Sequence, residues 1–296
     1  MSAAGSRPDW VDARLFPFTS HYADVAGCRI HYLDEGQGPA LLLLHGNPTW
    51  SFLYRHLVTA LRDRFRCIAP DYPGFGLSTA RSGYGFTPAE HADVVGALVD
   101  ALQLDDFVPF VQDWGGPIGL AVAARRAERV PGVVIGNTFA WPVAGVWHFE
   151  WFSRLFGGPL GRVAARRANV VVNLLIPAGT RRRQLTRAEM AHYRRPLATP
   201  AARQPTSVFA REVRARSPFL AEVEAGLARL GDKPALIVWG DRDIAFRRVE
   251  RRRFEQLFPR HTVVELVGAG HFIQEDAPDE IAAALRAWWG QHGPPT

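Results

Sequence analysis

The most constraining stretch of the sequence is an apolar run that ends at an aspartate followed by small residues. Residues 107–112 have the pattern of a buried strand, Asp113 and Trp114 follow, and Gly115 and Gly116 open a helix. A sharp strand-to-helix turn of this kind exposes one side chain and requires small neighbours, because its backbone is strained and closely packed. Asp113 is the side chain so placed. An aspartate here is also a common helix N-cap, and this stretch alone leaves that alternative open.

Strand and helix patterns alternate along the chain on both sides of this turn. Strand patterns lie at residues 29–34, 40–45, 66–70, 107–112, 133–137, 235–240 and 263–267. Helix patterns lie between them, and one begins with the capping box that Thr87 and Glu90 form around Pro88. This order predicts an α/β fold with a doubly wound, mostly parallel sheet that binds ligands at the carboxyl ends of its strands.

The alternation stops between Trp141 and about Ser217. This stretch has helical patterns separated by prolines and lacks the period of two that marks strands. An all-helical insertion between two strands is expected to lie over the active site. We therefore predict a core domain built from residues 1–139 and 217–296, and a helical cap domain formed by residues 140–216.

Composition limits the class of protein and its compartment. The chain has 296 residues, of which 47% are apolar, enough for one large domain with a smaller insert. It has no apolar run long enough to span a bilayer and no apolar core of a signal peptide near residues 1–10. Only two cysteines occur, Cys28 and Cys67, too few for a disulfide framework. We expect a cytoplasmic protein without membrane contact.

The positive charge is concentrated in the predicted insertion. The formal net charge is +6 at pH 7, and arginines cluster from Arg162 to Arg216. No zinc module or aromatic RNA-binding strand accompanies them, so we expect no nucleic-acid partner. A solvated helix face is the simpler interpretation of such a stripe. The same arginines are compatible with a homo-oligomer.

A histidine and an aspartate late in the chain are candidate partners of Asp113. His271 lies in a glycine-rich loop after the last strand pattern, although an isolated histidine is usually structural. Asp243 follows the strand that ends at Gly240, with Asp241 as its rival two residues earlier. The order nucleophile, acid, histidine resembles that of α/β-hydrolases. The hydrolase spacing, with the acid three residues after the glycine, selects Asp243.

A second turn offers neutral hydrogen-bond donors. His45 and Gly46 precede Asn47 and Pro48, and Asn-Pro pairs also occur in turns that have no further role. In the hydrolase arrangement, the backbone N–H of Asn47 and that of Trp114 form an oxyanion hole. The side chains of both residues also carry N–H groups, which can hold a departing halide without trapping it as a cation would.

These motifs together resemble those of the haloalkane dehalogenases, and they cover most of the chain outside the insertion. The similar segments are residues 45–55, 71–78, 111–117, 240–246 and 268–276. Within that family, the Asn-Trp halide pair with a late aspartate acid resembles the third subfamily.

The resemblance implies a mechanism and a set of roles. Asp113 displaces halide from an alkyl halide, giving an alkyl-enzyme ester, while Asn47 and Trp114 stabilise the halide. His271, oriented by Asp243, activates the water that cleaves the ester. Alcohol, halide and a proton leave, and neither a cofactor nor a metal takes part.

Epoxide hydrolases are the nearest alternative, since they share the aspartate nucleophile and its tryptophan neighbour. They use two cap tyrosines as acids, whereas Tyr193 is the only tyrosine between residues 141 and 217. Fluoroacetate-type dehalogenases are a second alternative, but they place an arginine after the nucleophile to bind a carboxylate, whereas this chain has Trp114 there. A serine esterase is disfavoured because no Gly-x-Ser-x-Gly motif occurs. A catalytically silent binding protein with the hydrolase fold is also disfavoured, because binding alone would not require all five of the candidate catalytic and halide-binding groups.

Overall fold

A computed structural model describes residues 3–4, 7–158, 161, 163, 167–213 and 218–293. Within these ranges one sheet of nine strands forms the centre of the molecule, in the order β1-β2-β3-β5-β4-β6-β7-β8-β9. The strands are β1 (Ala3–Ala4), β2 (His21–Val25), β3 (Cys28–Glu35), β4 (Ala40–Leu44), β5 (Arg66–Pro70), β6 (Phe107–Asp113), β7 (Val133–Thr138), β8 (Ala235–Gly240) and β9 (His261–Leu266). The first three strands and β5 pair antiparallel, and all other pairs are parallel. The predicted α/β fold with a mostly parallel sheet is confirmed.

Helices connect the strands and cover both faces of the sheet. They are α1 (Arg55–Leu61), α2 (Pro88–Ala101), α3 (Gly115–Ala124), α4 (Trp147–Gly157), α5 (Ile176–Gly179), α6 (Arg187–Arg194), α7 (Gln204–Glu212), α8 (Pro218–Gly226), α9 (Arg248–Leu257), α10 (Ile273–Asp276) and α11 (Pro278–His292). Short 3-10 turns lie at Ser51–Tyr54, Ala127–Arg129, Arg195–Leu197 and Leu227–Arg229, and a π turn at Val171–Leu175 leads into α5. The capping box at Thr87 and Glu90 is present at the start of α2, as predicted.

The central strands are buried on both faces. Leu42 and Leu44 of β4 pack into one hydrophobic cluster, and Leu41 and Leu43 of the same strand pack into another. Successive side chains of a strand point to opposite faces, so each cluster fills the space between the sheet and one layer of helices. The sheet is thereby held rigidly, and its carboxyl edge is a stable platform for functional groups.

The chain between β7 and β8 contains no strand in its described part. Helix α4 packs against α7 there, whereas α8 packs against α3 beside the sheet. A buried ion network joins this segment to the rest of the molecule, since Arg55 of α1 donates to Glu189 of α6 at 2.8 Å and to Glu275 of α10 at 2.5 Å. Tyr193 also donates to Glu275. Removing one member of such a network leaves a buried charge without its partner, which costs about 3–5 kcal/mol.

Several arginines of the basic cluster are bound within the chain. Arg182 pairs with Glu280, and Arg183 pairs with Glu189 and Glu275. Four others of the cluster lie outside the described residues: Arg162, Arg166, Arg214 and Arg216. The homo-oligomer suggested by the cluster stays a prediction. No helix in the described ranges combines the length and the apolar character needed to cross a membrane.

Candidate active site

The structure gathers the predicted functional residues at one edge of the sheet. Asn47 follows β4, Asp113 ends β6, Asp243 follows β8 and His271 follows β9. These strands are parallel neighbours with β7 between β6 and β8, so their carboxyl ends meet at the same edge. Residues separated by more than 200 positions along the sequence thus line one cavity.

Asp113 occupies a tight turn whose geometry depends on neighbouring glycines. Its φ is +52°, a left-handed conformation that is unfavourable for a residue with a side chain. A Cβ on Gly46 would lie 2.2 Å from Asp113 Oδ1, and a Cβ on Gly115 would lie 2.1 Å from the carbonyl oxygen of Leu44. The small residues predicted for the turn are therefore required. No side chain caps the N-terminus of α3, so the N-cap role left open for Asp113 does not apply.

The two carboxylate oxygens of Asp113 have different surroundings. Oδ1 accepts the backbone N–H of Asn47 at 2.7 Å, and Oδ2 lies 3.6 Å from Nε2 of His271. Burial raises the pKa of Asp113, while His271 and the backbone N–H groups of Trp114 and Asn47 oppose that rise. Oδ1 is thus held by a main-chain donor, and Oδ2 faces the histidine across the cavity.

His271 is held by Asp243. Nδ1 of His271 lies 2.9 Å from Oδ2 of Asp243, whose side chain is fully buried. Burial by itself would lower the pKa of His271, but the charge and hydrogen bond of Asp243 and the charge of Asp113 outweigh it, so this pKa lies above its ordinary value. Such an arrangement fixes the imidazole with Nε2 directed to the side of Asp113, as a general base requires.

The structure also separates the two candidate acids. Asp243 contacts His271, whereas Asp241 accepts the backbone N–H of Gly268 at 2.5 Å and holds a turn. Asn137, which sequence reasoning did not select, donates to Oδ2 of Asp243 at 2.7 Å and accepts the N–H of Gly240 at 2.8 Å. Asn137 therefore orients the acid from the carboxyl end of β7, and its place near the end of a buried strand is the one sequence signal that could have indicated a role.

Replacing Asp243 by asparagine is expected to lower the turnover rate by about 10³-fold, because a neutral amide cannot stabilise the imidazolium that forms. Asp241→Asn is the matched control, and we expect its rate to stay within about threefold of the wild type. Steady-state product formation at neutral pH measures both. Equal losses in the two variants would show that contact with His271 is not what matters.

The predicted halide donors lie on the same cavity as Asp113. Asn47 donates through its side-chain N–H to the carbonyl of Thr206 at 3.3 Å, which leaves the second N–H of the amide for another acceptor. Trp114 is stacked on Phe209 and packed edge-on against Phe139, and its side chain is nearly buried. These contacts fix both side chains in the wall of the cavity that Asp113 also lines.

The cavity is small and mostly apolar, with a volume of about 310 Å³. Its core-side wall includes Phe139, Phe246 and Phe272. The segment between β7 and β8 supplies Phe149 and Phe152 of α4, together with His148, Leu175, Ala178, Gly179 and Val213. An apolar space of this kind suits a small hydrocarbon chain whose reactive end meets the few polar groups.

The described residues contain one group of three potential metal ligands, His56, Glu189 and Glu275. Both carboxylates are paired with Arg55 and Arg183. Two guanidinium groups already balance the negative charge, so this cluster is an ion-pair network and not a metal centre.

Comparisons with known proteins agree with this geometry. Residues 39–278 match the family model described as the alpha/beta hydrolase fold. Haloalkane dehalogenase 2 of Mycobacterium tuberculosis is 51% identical, over 93% of this chain and 96% of that protein. The chain belongs to the haloalkane dehalogenase family. Among solved structures, the haloalkane dehalogenase DbeA from Bradyrhizobium elkani superposes with a TM-score of 0.84 at 28% identity, covering 92% of this chain and 97% of that one.

The relatives of this chain also include an enzyme that is named as a decarboxylase and not as a dehalogenase. The cis-3-alkyl-4-alkyloxetan-2-one decarboxylase of Shewanella oneidensis is 33% identical, over 92% of this chain and 88% of that protein. The fold and most of the chain are therefore compatible with a different reaction. The residues in the cavity have to carry the functional assignment.

Proposed function

We propose that this protein hydrolyses haloalkanes to an alcohol, a halide ion and a proton. The observation that carries the proposal is the arrangement around Asp113: one oxygen accepts a backbone N–H, and the other faces His271 in an apolar cavity. A carboxylate is a nucleophile for saturated carbon that bears a leaving group, and it needs no base to activate it.

In the first step, Asp113 attacks the carbon that carries the halogen. Oδ2 forms the new C–O bond, the carbon–halogen bond breaks, and its electron pair leaves with the halide. The side-chain N–H groups of Asn47 and Trp114 stabilise the anion as it forms. The product is an alkyl ester of Asp113, and the apolar walls exclude bulk water from the reacting atoms.

In the second step, His271 removes a proton from a water molecule whose oxygen attacks the carboxyl carbon of Asp113. Negative charge develops on Oδ1, which accepts the backbone N–H of Asn47, and the backbone N–H of Trp114, which also interacts with the carboxylate, acts as the second donor of the oxyanion hole. The alcohol then departs and the carboxylate is regenerated. Esterification removes the charge of Asp113, which is one of the two charges that raise the pKa of His271, so the imidazole is more readily free to act as a base.

The surroundings of Tyr193 argue against epoxide hydrolysis. Tyr193 is buried, and its hydroxyl donates to Glu275 in the ion network. The cavity has no tyrosine among its described lining residues, so no phenol there can protonate an epoxide oxygen. We therefore favour the alkyl halide as substrate.

Two further assignments accompany the proposal. The helical segment of residues 140–216 acts as the cap, because Phe149, Phe152 and Leu175 from it close the apolar cavity. The protein acts in the cytoplasm, in keeping with Cys28 and Cys67, which are both free thiols buried in the core.

Replacing Asn47 by alanine is expected to weaken bromide binding by about 10- to 100-fold, the effect of losing one hydrogen bond to an ion. Bromide quenching of tryptophan fluorescence measures the affinity. Asn173→Ala, an exposed asparagine outside the cavity, is the control and should bind bromide as the wild type does. Unchanged bromide affinity in Asn47→Ala would remove Asn47 from the halide site.

The proposal is tested by offering three substrates to the wild-type protein. These are 1-bromobutane, styrene oxide and a cis-3,4-dialkyl oxetan-2-one, the last chosen because of the Shewanella relative. We expect bromide and butanol from the first and no turnover of the other two. Diol without bromide would support epoxide hydrolysis instead, and carbon dioxide without bromide would support decarboxylation.

A further inference from the structure

Gln112, the residue before the nucleophile, contacts the catalytic histidine in two places. It is fully buried near the end of β6. Its side-chain nitrogen Nε2 lies 3.1 Å from Nε2 of His271 and 3.1 Å from the backbone carbonyl oxygen of His271. Neither contact takes part in the two steps of the proposed reaction.

The carbonyl contact fixes which way the amide of Gln112 faces. A carbonyl oxygen only accepts hydrogen bonds, so the amide atom facing it has to be the nitrogen and not the oxygen. The same NH₂ group then also faces Nε2 of His271, which accepts from it only when Nε2 carries no proton. The amide oxygen of Gln112 is left buried without a hydrogen-bond partner among the described residues. This unsatisfied atom is the cost of the orientation.

We propose that Gln112 is a positioning residue that keeps Nε2 of His271 unprotonated and directs Nδ1–H to Asp243. The inference rests on the proposed function, because it concerns the base of the second step. Protonation of Nε2 would bring its hydrogen against the NH₂ group of Gln112. Gln112 therefore opposes formation of the imidazolium in the resting site and keeps Nε2 an acceptor, whose single lone pair the attacking water takes over from the Gln112 amide.

The charged groups around His271 act in the opposite direction. Asp243, from the loop after β8, and Asp113, from the end of β6, both favour the imidazolium. Phe246 and Phe272 pack on the imidazole ring of His271 and carry no charge.

Three basic side chains, Arg242, Arg247 and His148, line the same cavity as His271. Gln112 is thus a neutral donor that offsets two carboxylates.

The test compares Gln112→Met, Gln112→Glu and the control Gln274→Met. Methionine removes the amide at similar size, and glutamate adds an acceptor that stabilises the imidazolium. Gln274 is a second fully buried glutamine whose amide makes no hydrogen bond to His271 in the described structure. Two quantities are measured over pH: the single-turnover rate of butanol formation from 1-bromobutane, and the ¹⁵N NMR titration of the His271 imidazole.

We expect the pKa of His271 to rise by about one unit in Gln112→Met and by more in Gln112→Glu. Because the rate falls as pH drops through this pKa, the falling limb should move to higher pH by the same amount. At high pH, where the imidazole is free base in every variant, Gln112→Met should retain a rate within about threefold of the wild type. Gln274→Met should show no shift.

The outcomes separate the two claims. A uniform loss of rate at every pH, with an unshifted NMR titration, would overturn the role of Gln112 and leave it as a structural residue. Absence of bromide with wild type would contradict the proposed function, and the NMR titration alone would then decide the role of Gln112. If Gln112→Met does not fold, Gln112→Leu, which also removes the amide without adding a charge, provides the same comparison.

Discussion

Asp113→Asn is expected to lower bromide release from 1-bromobutane by at least about 10⁴-fold, as loss of a catalytic nucleophile does. Asparagine has the shape of aspartate, and its carbonyl oxygen can still accept the N–H of Asn47. The turn should therefore keep its structure. The neutral amide, however, has no charge with which to displace a halide from saturated carbon. Ion chromatography of released bromide measures the effect.

The control for this variant is Asp106→Asn, which changes an exposed aspartate just before β6. Its rate should equal that of the wild type, and circular dichroism should show the same thermal unfolding for both variants within a few degrees. A rate in Asp113→Asn within tenfold of the wild type would mean that a different group, or water directly, displaces the halide.

His271→Gln should separate the two chemical steps. Formation of the ester needs no base, so this variant should still release about one equivalent of bromide per active site. Hydrolysis of the ester should slow by about 10³-fold or more, because the water then lacks its general base. The alkyl-enzyme should accumulate, and intact-protein mass spectrometry after quenching should find the mass of one butyl group added.

His261→Gln, an exposed histidine at the start of β9, serves as the control and should turn over normally without an adduct. Proteolysis of the His271→Gln adduct should place the butyl group on the peptide that contains Asp113. Multiple turnovers by His271→Gln at the wild-type rate would contradict the base role of His271, whatever the mass spectrum contains.

Much of the site could be predicted because its groups sit in local patterns. The turn at Asp113 requires a residue without a side chain at position 115, because a Cβ there would meet the backbone. The sequence shows this glycine directly. The strand rhythm places Asp243 and His271 after parallel strands, whose carboxyl ends meet. These features follow from short stretches of chain, and the structure has each of them where the pattern indicated.

The supporting contacts could not be predicted because they join distant parts of the chain. Gln112 meets His271 across 159 residues of sequence, and Asn137 meets Asp243 across 106. Neither residue stands in a pattern that differs from an ordinary strand end. Their roles depend on the packing of β6, β7 and β8 side by side, and no local propensity encodes that packing.

Some boundaries of helices and strands in the structure differ from those that the sequence patterns indicate. The sequence pattern favours a helix over residues 51–62, with Phe52, Leu53 and Leu57 on one face, but this stretch begins with a 3-10 turn at Ser51–Tyr54, and only Arg55–Leu61 is α-helical. The sequence patterns do not predict β2. The structure pairs this strand with β3 through a tight hairpin turn at Ala26 and Gly27, which both have positive φ values. The residues of the insertion that line the cavity could not be predicted either, because their positions depend on tertiary packing alone.

A single turnover of 1-bromobutane by wild-type protein in H₂¹⁸O shows whether Asp113 or water displaces the halide. If Asp113 forms an ester that water cleaves at the carboxyl carbon, the butanol carries ordinary oxygen from Asp113. The ¹⁸O then appears in the peptide that contains Asp113. Butanol labelled with ¹⁸O in the first turnover, beside an unlabelled Asp113, would contradict the account, because water would then have displaced the halide directly.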